Sequence, residues 1–499
     1  MNVLVKTLVI GASLLVSLEA CSKNDSDERD EPVLSQIKVS ELVTADGKTY
    51  VNVEGKPFAF MGAQIRLDAF LNCDKKKVSE LEPYFQKAAE LGLNCMQIPV
   101  SWNMVEPKQD QYDFSVVDYV LEYCNKYNLR MELLWFSTNM IGDSFSYLVP
   151  TYILATPRLR LWRNDEGTFW NYYGYQYALI LDDSWLLERE TKAVKRLFDH
   201  IRYWDSKHGD RHPVISAQIH NEPDGFVRWR IDQKKYRFKD GTTLTKERAW
   251  EMTCNALDAV GQAVQNSSYK VVTRTNLVKG NGISPFDEAV CASPKDIFDL
   301  KGIDFISVDI YRNDVDEVRD EVEAYASISG NYALVGENKG SYSYSPSLIL
   351  TAFAAGGGYD IYDLATSRFF IDNTNDSQGI DHGVYTYDLM PTVITEPTKK
   401  IVKGIVLASE DIAVASPADI AAFNVDENVP ARNRTQTLST SCLTIDFSTA
   451  EGAIGFVVDR SSYAIVYSTE NAKFAIQKAG VSSRQIDAVG GVMYKIEFN

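Results

Sequence analysis

The sequence predicts an α/β chain: eight strand–helix units closing into a parallel (β/α)8 barrel, followed by a small all-β module. Three observations carry this reading. Between about Phe58 and Tyr362, apolar runs of strand length alternate with segments whose apolar residues recur at helical spacing. Eight such units over about three hundred residues match a parallel barrel ringed by helices. After Pro391 the pattern changes to short alternating strands and turns, and 499 residues are enough for both parts.

The predicted barrel strands cover 58–66, 95–102, 131–136, 214–219, 271–275, 305–311, 332–336 and 359–362. Predicted helices lie at 78–91, 116–127, 185–204, 246–264 and 348–355. The first is typical, with Leu81, Phe85, Ala88 and Leu91 falling on one face. Beyond 391 a helix is expected over 394–413. Strands are expected at 421–425, 437–443, 453–458, 464–468, 474–478 and 492–498, the pattern of a β-sandwich. The domain boundaries follow: a leader over 1–20, a tether and N-terminal segment over 21–50, the barrel over 51–390 and the β module over 391–499.

The connection from Thr138 to Asp183 is too long for an ordinary loop. It carries Phe145, Tyr147, Tyr152, Trp162, Phe169, Trp170, Tyr172, Tyr173, Tyr175 and Tyr177, so disorder is not expected. Following a barrel strand, it either walls a ligand site or packs down as a satellite cluster. The net charge of −17 argues against a nucleic-acid partner and is compatible with a neutral one.

At the N-terminus, Lys6 precedes an apolar run from Thr7 to Leu18, too short to span a bilayer. It ends in Leu18-Glu19-Ala20-Cys21, which resembles the lipobox of bacterial lipoproteins, with Glu19 where a small residue is usual. The resemblance implies export, a lipid on Cys21 and a membrane partner reached through that anchor, on the periplasmic or outer face of an outer membrane. The polar, acidic stretch from Ser22 to Glu31 then serves as a tether. An ordinary secretory signal is the alternative. The other cysteines, at 73, 95, 124, 254, 291 and 442, show no disulfide framework, and most read as buried thiols.

Two segments carry chemistry: His220-Asn221-Glu222-Pro223 after the fourth predicted strand and Gly336-Glu337-Asn338 at the end of the seventh. Carboxylates at the C-terminal ends of barrel strands point into the mouth, where barrel enzymes work. Two facing carboxylates are what glycosidic bond cleavage needs, one to give a proton and one to attack or to activate water. Each has a structural alternative, Glu222 as a helix N-terminal charge before Pro223 and Glu337 as part of a local turn.

Asn-Glu-Pro at the fourth strand and Glu337 at the seventh resemble the catalytic strands of glycoside hydrolase clan A. Val100-Ser-Trp-Asn-Met-Val-Glu106-Pro107 with Asp110-Gln-Tyr-Asp-Phe114, and Leu133-Leu-Trp135-Phe136, resemble the second and third strands of the family 35 and 42 β-galactosidases. The likeness runs roughly from residue 55 to 365 at the level of motifs and strand order. It implies a TIM barrel that retains configuration, with Glu222 as acid/base and Glu337 as nucleophile. It further implies Asn221 on the sugar 2-hydroxyl, Tyr311 donating to Glu337, Arg66 supporting the same carboxylate, and Trp102 and Trp135 stacking on sugar faces. Glu106, beside Pro107, reads as a structural loop residue. Departures are His220 before Asn-Glu, and Tyr359 or Tyr362 where many clan members carry a Trp.

The implied substrate is a terminal β-linked galactose on an oligo- or polysaccharide. The alternatives are another β-glycosidase of the clan (a β-mannosidase, or an endo-acting glucanase or mannanase) and a non-catalytic surface glycan-binding lipoprotein. No cofactor is expected. The histidines at 200, 208, 212, 220 and 382 form no ligand cluster, so no metal is expected either. Oligomeric state is left open.

Overall fold

The computed structural model describes residues 31–32, 34–140, 146–163, 177–225, 227, 236–278, 294–367, 383–425 and 434–498. Cys21, Phe145, Phe169, Trp170, Tyr172, Tyr173, Tyr175, Cys291 and His382 lie outside these residues.

Eight parallel strands close in sequence order: β1 (Met61–Gln64), β2 (Cys95–Ser101), β3 (Arg130–Phe136), β4 (Val214–Ile219), β5 (Val272–Val278), β6 (Phe305–Asp309), β7 (Leu334–Lys339) and β8 (Gly358–Tyr362). The first pairs with the eighth, so no edge is left open. The predicted (β/α)8 barrel is the fold. Its strand residues are almost all buried, as expected of a parallel sheet covered on its outer face by helices.

The outer helices are α1 (Glu82–Leu91), α2 (Ser115–Tyr127), α3 (Ser184–Lys207), α4 (Lys246–Gln265), α5 (Val315–Ala326), α6 (Ser345–Ala354) and α7 (Thr395–Leu407). Their ends follow local chemistry. The Asp183 side chain accepts from the Trp185 and Leu186 amides to open α3, and Gly92, at φ 91°, closes α1 in the left-handed conformation.

Several boundaries differ from the sequence reading. The sequence reading puts residues 37–50 in the tether and N-terminal segment, 51–57 in the barrel ahead of its strands and Phe58 at the start of the first strand. Instead, Ser40–Ala45, Lys48–Val53 and Lys56–Phe58 form a separate antiparallel sheet. Asp46-Gly47 turns its first hairpin, with both residues at positive φ. This sheet is fixed to the barrel by Ser40, whose Oγ donates to the Ile215 carbonyl and accepts from the Val272 amide. The helix α7, expected in the β module, packs beside α1 and α6 and completes the helical ring.

The module itself is a sandwich of two antiparallel sheets. Its strands are β9 (Ile420–Val425), β10 (Thr435–Ser439), β11 (Leu443–Thr449), β12 (Ala453–Asp459), β13 (Tyr463–Ser468), β14 (Ala472–Lys478), β15 (Arg484–Ala488) and β16 (Met493–Glu497). The sheet orders are β9-β12-β13-β16 and β10-β11-β14-β15. Phe423, Phe447 and Phe474 meet between them. The predicted strand at 437–443 is the end of one strand and the turn into the next. β15 escaped notice because only Ile486 in Arg-Gln-Ile-Asp-Ala offers an inward aliphatic side chain of any size.

The module is fused to the barrel flank. Gly404 of α7 lies against the Tyr467 ring so closely that an added Cβ would sit 2.3 Å from it, and Tyr467 Oη donates to the Lys400 carbonyl at 2.5 Å. Asn424 donates to Ser347 of α6 at 2.7 Å.

Candidate active site

Side chains alternate along a strand, so every second residue of a barrel strand faces inward. The inward layer nearest the mouth holds Glu337 from β7, Asp309 from β6, Asn276 from β5 and Gln64 from β1. Asp309 and Glu337 are register partners on neighbouring strands. Glu337 lies within its strand, one residue beyond the predicted end at 336, because β7 runs on to Lys339.

Glu337 is buried. Its Oε1 accepts from Gln64 Nε2 at 3.0 Å and its Oε2 accepts from the Tyr311 hydroxyl. Burial raises its pKa. Against that, Tyr311 and Gln64 hydrogen-bond the charged form, and the charges of Arg66 and Arg274 favour it. Burial and the neighbouring Glu337 push the Tyr311 phenol well above its ordinary value, so it stays protonated and donates.

Glu222 follows β4 by three residues and is half-buried. Its amide donates to Asn276 Oδ1 at 2.9 Å. Asn221 Oδ1 accepts from Gln218 at 3.0 Å and from Asn276 at 2.9 Å, so its own amide donors are what it can offer a ligand. His220, Glu222 and Tyr311 all have positive φ, at 59°, 46° and 49°. Non-glycine residues held in this region store strain, on the order of 1–3 kcal/mol each, and such strain gathers at functional sites.

One carboxyl oxygen from each of Glu222, Asp309 and Glu337 lies within 4.8 Å of the others. The two expected catalytic residues are thus brought together, with a third acid that the sequence reading missed. The sequence reading places Asp309 inside a strand that ends at Tyr311, which hides its position at the strand end. Asn276 was missed because the fifth strand was ended one residue before it.

The other expected site residues are placed as follows. Arg66 lies just past β1 and pairs with Asp68 through two hydrogen bonds, of 2.9 and 2.8 Å. Its Nη1 meets Tyr362 Oη at 3.5 Å, and the Tyr362 ring stands edge-on to Tyr311. Of the two tyrosines of β8, Tyr362 is therefore the one beside the site. Tyr147, from the described part of the long connection, donates to Asp68 at 3.0 Å.

The tryptophans correct the sequence reading. Trp102 and Trp135 are both 0% exposed, so neither offers a ring face to a sugar. Trp102 Nε1 donates to Glu106 at 2.8 Å, and Glu106 also pairs with Arg189. Glu106 is thus a buried structural residue, as expected. Trp135 Nε1 donates to Glu190 at 3.0 Å, and His220 Nε2 meets the same carboxylate at 2.9 Å, together with Ser137 and Thr138. Glu190, unforeseen in a helix face, ties the ends of β3 and β4 together behind Glu222.

The four described histidines pair separately, His200 with Asp118, His208 with the Trp204 carbonyl, His212 with Asp205 and His220 with Glu190. The acid clusters, Glu222-Asp309-Glu337 and a deeper Cys95-Glu132-Asp360, are the groups among the described residues whose spacing suits a cation. Arg274 already neutralises the deeper one.

Comparison with known proteins adds the following. Residues 71–141 match the family model described as Beta-galactosidase, glycoside hydrolase family 42. Over this stretch the chain is similar to clan A glycoside hydrolases. Residues 252–430 and 1–69 match two domains of unknown function, DUF4978 and DUF4969. No curated protein matches the chain.

Among solved structures, an exo-β-1,4-mannosidase from Opitutaceae bacterium strain TAV5 is 13% identical, over 75% of this chain and 63% of that one, with TM-score 0.48. A β-galactosidase from Halorubrum lacusprofundi is 14% identical, over 69% and 58%, with TM-score 0.48. An endo-1,4-β-mannanase from Rhizomucor miehei is 13% identical, over 74% and 99%, with TM-score 0.47. The chain spans about three fifths of the length of the first two.

Proposed function

We propose that the protein is a retaining glycoside hydrolase acting on β-linked sugars, with Glu337 as nucleophile and Glu222 as acid/base. The observation that carries this is the separation of the pair, with carboxyl oxygens within 4.8 Å. Retaining enzymes hold their two carboxyl groups about 5–5.5 Å apart, whereas inverting ones leave about 6.5–9.5 Å for a water.

In the first step Glu222 gives its proton to the glycosidic oxygen as that bond breaks, and Glu337 forms a bond to the anomeric carbon. In the second, water adds to that carbon, Glu222 takes its proton, and Glu337 leaves as a carboxylate. Tyr311 and Gln64 hold Glu337 oriented and favour its ionised form. The half-buried Glu222, beside anionic Glu337, is the group suited to carry the proton. Asn221 offers its amide to the sugar 2-hydroxyl.

For the substrate we favour a terminal β-galactosyl residue, on the likeness of residues 100–114 and 133–136 to the β-galactosidases. A β-mannoside, or internal cleavage of a β-glucan or β-mannan, is the second reading. We further propose that the chain is exported and carried on an outer membrane by a lipid on Cys21, supported by the Leu-Glu-Ala-Cys segment. Cys21→Ser should abolish labelling by a palmitate analogue, and labelling that persists would end that proposal.

The deciding assay is release from aryl β-galactosides, β-mannosides and β-glucosides by wild type, Glu222→Ala and Glu337→Ala, with azide. Azide should give a β-glycosyl azide with Glu222→Ala and an α-glycosyl azide with Glu337→Ala. A glycan that binds but is never cleaved, in either aryl or polymeric form, would replace the enzyme with a binding protein.

A further inference from the structure

Asp309 has no part in the two-carboxylate scheme, yet one of its carboxyl oxygens lies within 4.8 Å of an oxygen of each of the two glutamates. It is the last residue of β6, and its side chain is 0% exposed. Its Oδ2 accepts from Asn276 Nδ2 at 2.6 Å. Its Oδ1 is buried with no hydrogen-bond partner among the described residues. That atom lies on the side of β7, where a Cβ added to Gly336 would be 2.8 Å away, so the absence of a side chain at 336 makes room for it.

The groups facing Asp309 are Glu337 from β7, Glu222 from the end of β4, Tyr311 from the segment after β6, and Arg274 and Asn276 from β5. Of these only Arg274 is cationic, and it already pairs with Glu132, Gln218 and Ser307. Three acids this close, with Arg274 hydrogen-bonded to other groups through Nε and Nη1 and Arg66 paired with Asp68, do not all ionise. Burial, then Glu337 and Glu222, push the Asp309 carboxyl well above the usual range.

The glycosidase reading, on which this inference rests, needs one negative charge in the site at a time. It is on Glu337 before attack and on Glu222 once Glu337 is esterified. We propose that Asp309 is a neutral carboxylic acid whose O–H on Oδ1 donates to whichever glutamate carries that charge. The Asp309 O–H bond never breaks, and only its acceptor changes. The proton delivered to the leaving group is that of Glu222, and the new bond to carbon is made by Glu337. Asp309 is a positioning residue, acting through the two glutamates.

Asp309→Asn keeps a neutral donor of the same shape, while Asp309→Ala removes it. The first readout needs no turnover. Infrared spectra at neutral pH should show a protonated-carboxyl stretch in wild type that is missing from Asp309→Asn, and identical bands in the two proteins would overturn the proposal. The second uses aryl glycosides of good and poor leaving groups. Asp309→Asn should stay within about 10-fold of wild type. Asp309→Ala should lose about 10- to 100-fold in both kcat/KM and the kcat of activated substrates, the size expected of a hydrogen bond to a charged group. An Asn variant as impaired as the Ala variant would overturn it. A divalent cation is the other way to hold three acids together. Full activity after chelation supports the proton, and a loss restored by Mg²⁺ or Ca²⁺ overturns it. If wild type turns over no glycoside, the enzyme reading fails, and the infrared band alone still decides the state of Asp309.

Discussion

Among the described residues the barrel holds two carboxyl clusters, one at the mouth and one deeper, and they differ in what neutralises them. At the mouth, Glu337, Glu222 and Asp309 are met by neutral donors: Tyr311, Gln64 and Asn276. Deeper in the barrel, Arg274, two residues before Asn276 on β5, shares its space with Glu132 of β3 and Asp360 of β8. Gln97 donates to Asp360 at 2.8 Å, and Cys95 Sγ meets Glu132 at 3.7 Å. A fixed cation commits the deeper cluster to one charge state. Neutral donors leave the mouth free to gain and lose a proton, which chemistry needs and stability does not.

The comparison is broken most directly at Glu337. Glu337→Gln should lower turnover of aryl glycosides roughly 10⁴-fold, since in the proposed mechanism Glu337 forms the glycosyl ester. Its melting temperature should equal or exceed that of wild type, because a buried carboxyl whose pKa burial raises is replaced by a neutral amide. A variant that unfolds early would show the mouth to be structural.

Arg274→Met should do the opposite. It leaves Glu132 as a buried, unpaired acid and breaks the bonds to Gln218 and Ser307. Breaking a buried pair from one side costs about 3–5 kcal/mol. Urea unfolding should show a loss of that size, and a loss under about 1 kcal/mol would mean that the deeper layer is held by the strands alone.

How much of this was legible beforehand follows from where each residue sits. Glu222 and Glu337 were readable because each ends or follows an apolar run and stands in a short motif. The barrel was readable from its eight repeats. The supporting layer was hidden among hydrophobic runs. Gln64, Gln97, Glu132, Gln218, Arg274, Ser307 and Asp360 are buried polar residues inside strands, which a search for apolar periodicity passes over. The recurrence of such residues in strand after strand is the available signal. The tryptophans misled for a related reason. An indole has a polar N–H, and sequence does not tell whether it seeks a ligand or, as with Trp102 and Trp135, a buried glutamate.

Tyr311→Phe tests the mouth's dependence on neutral donors. The lost hydrogen bond favoured ionised Glu337, so the carboxyl pKa, already raised by burial, rises further. As the proposed nucleophile, Glu337 must be charged to attack. The acid limb of kcat/KM should therefore move to higher pH, and kcat/KM at its plateau should fall about 10- to 100-fold. An acid limb that stays in place would mean that Gln64 and the arginine charges suffice.

The smallest effect belongs to the deeper layer and is read as a slope. Burial first, then Glu132, hold the Asp360 carboxyl well above the usual range. Above about pH 4 the unfolded chain has released this proton while the folded protein keeps it. The native state then binds more protons than the unfolded one, so unfolding free energy falls as pH rises toward the folded pKa, by at most about 1.4 kcal/mol per pH unit. Asp360→Asn has no such proton to hold. Its urea-unfolding free energy between about pH 5 and about pH 8 should decline less steeply than that of wild type. Asp309, also raised, contributes equally to both proteins and cancels in the difference. Parallel slopes would place the shared proton on Glu132 and leave Asp360 as the partner of Gln97 in its ionised form.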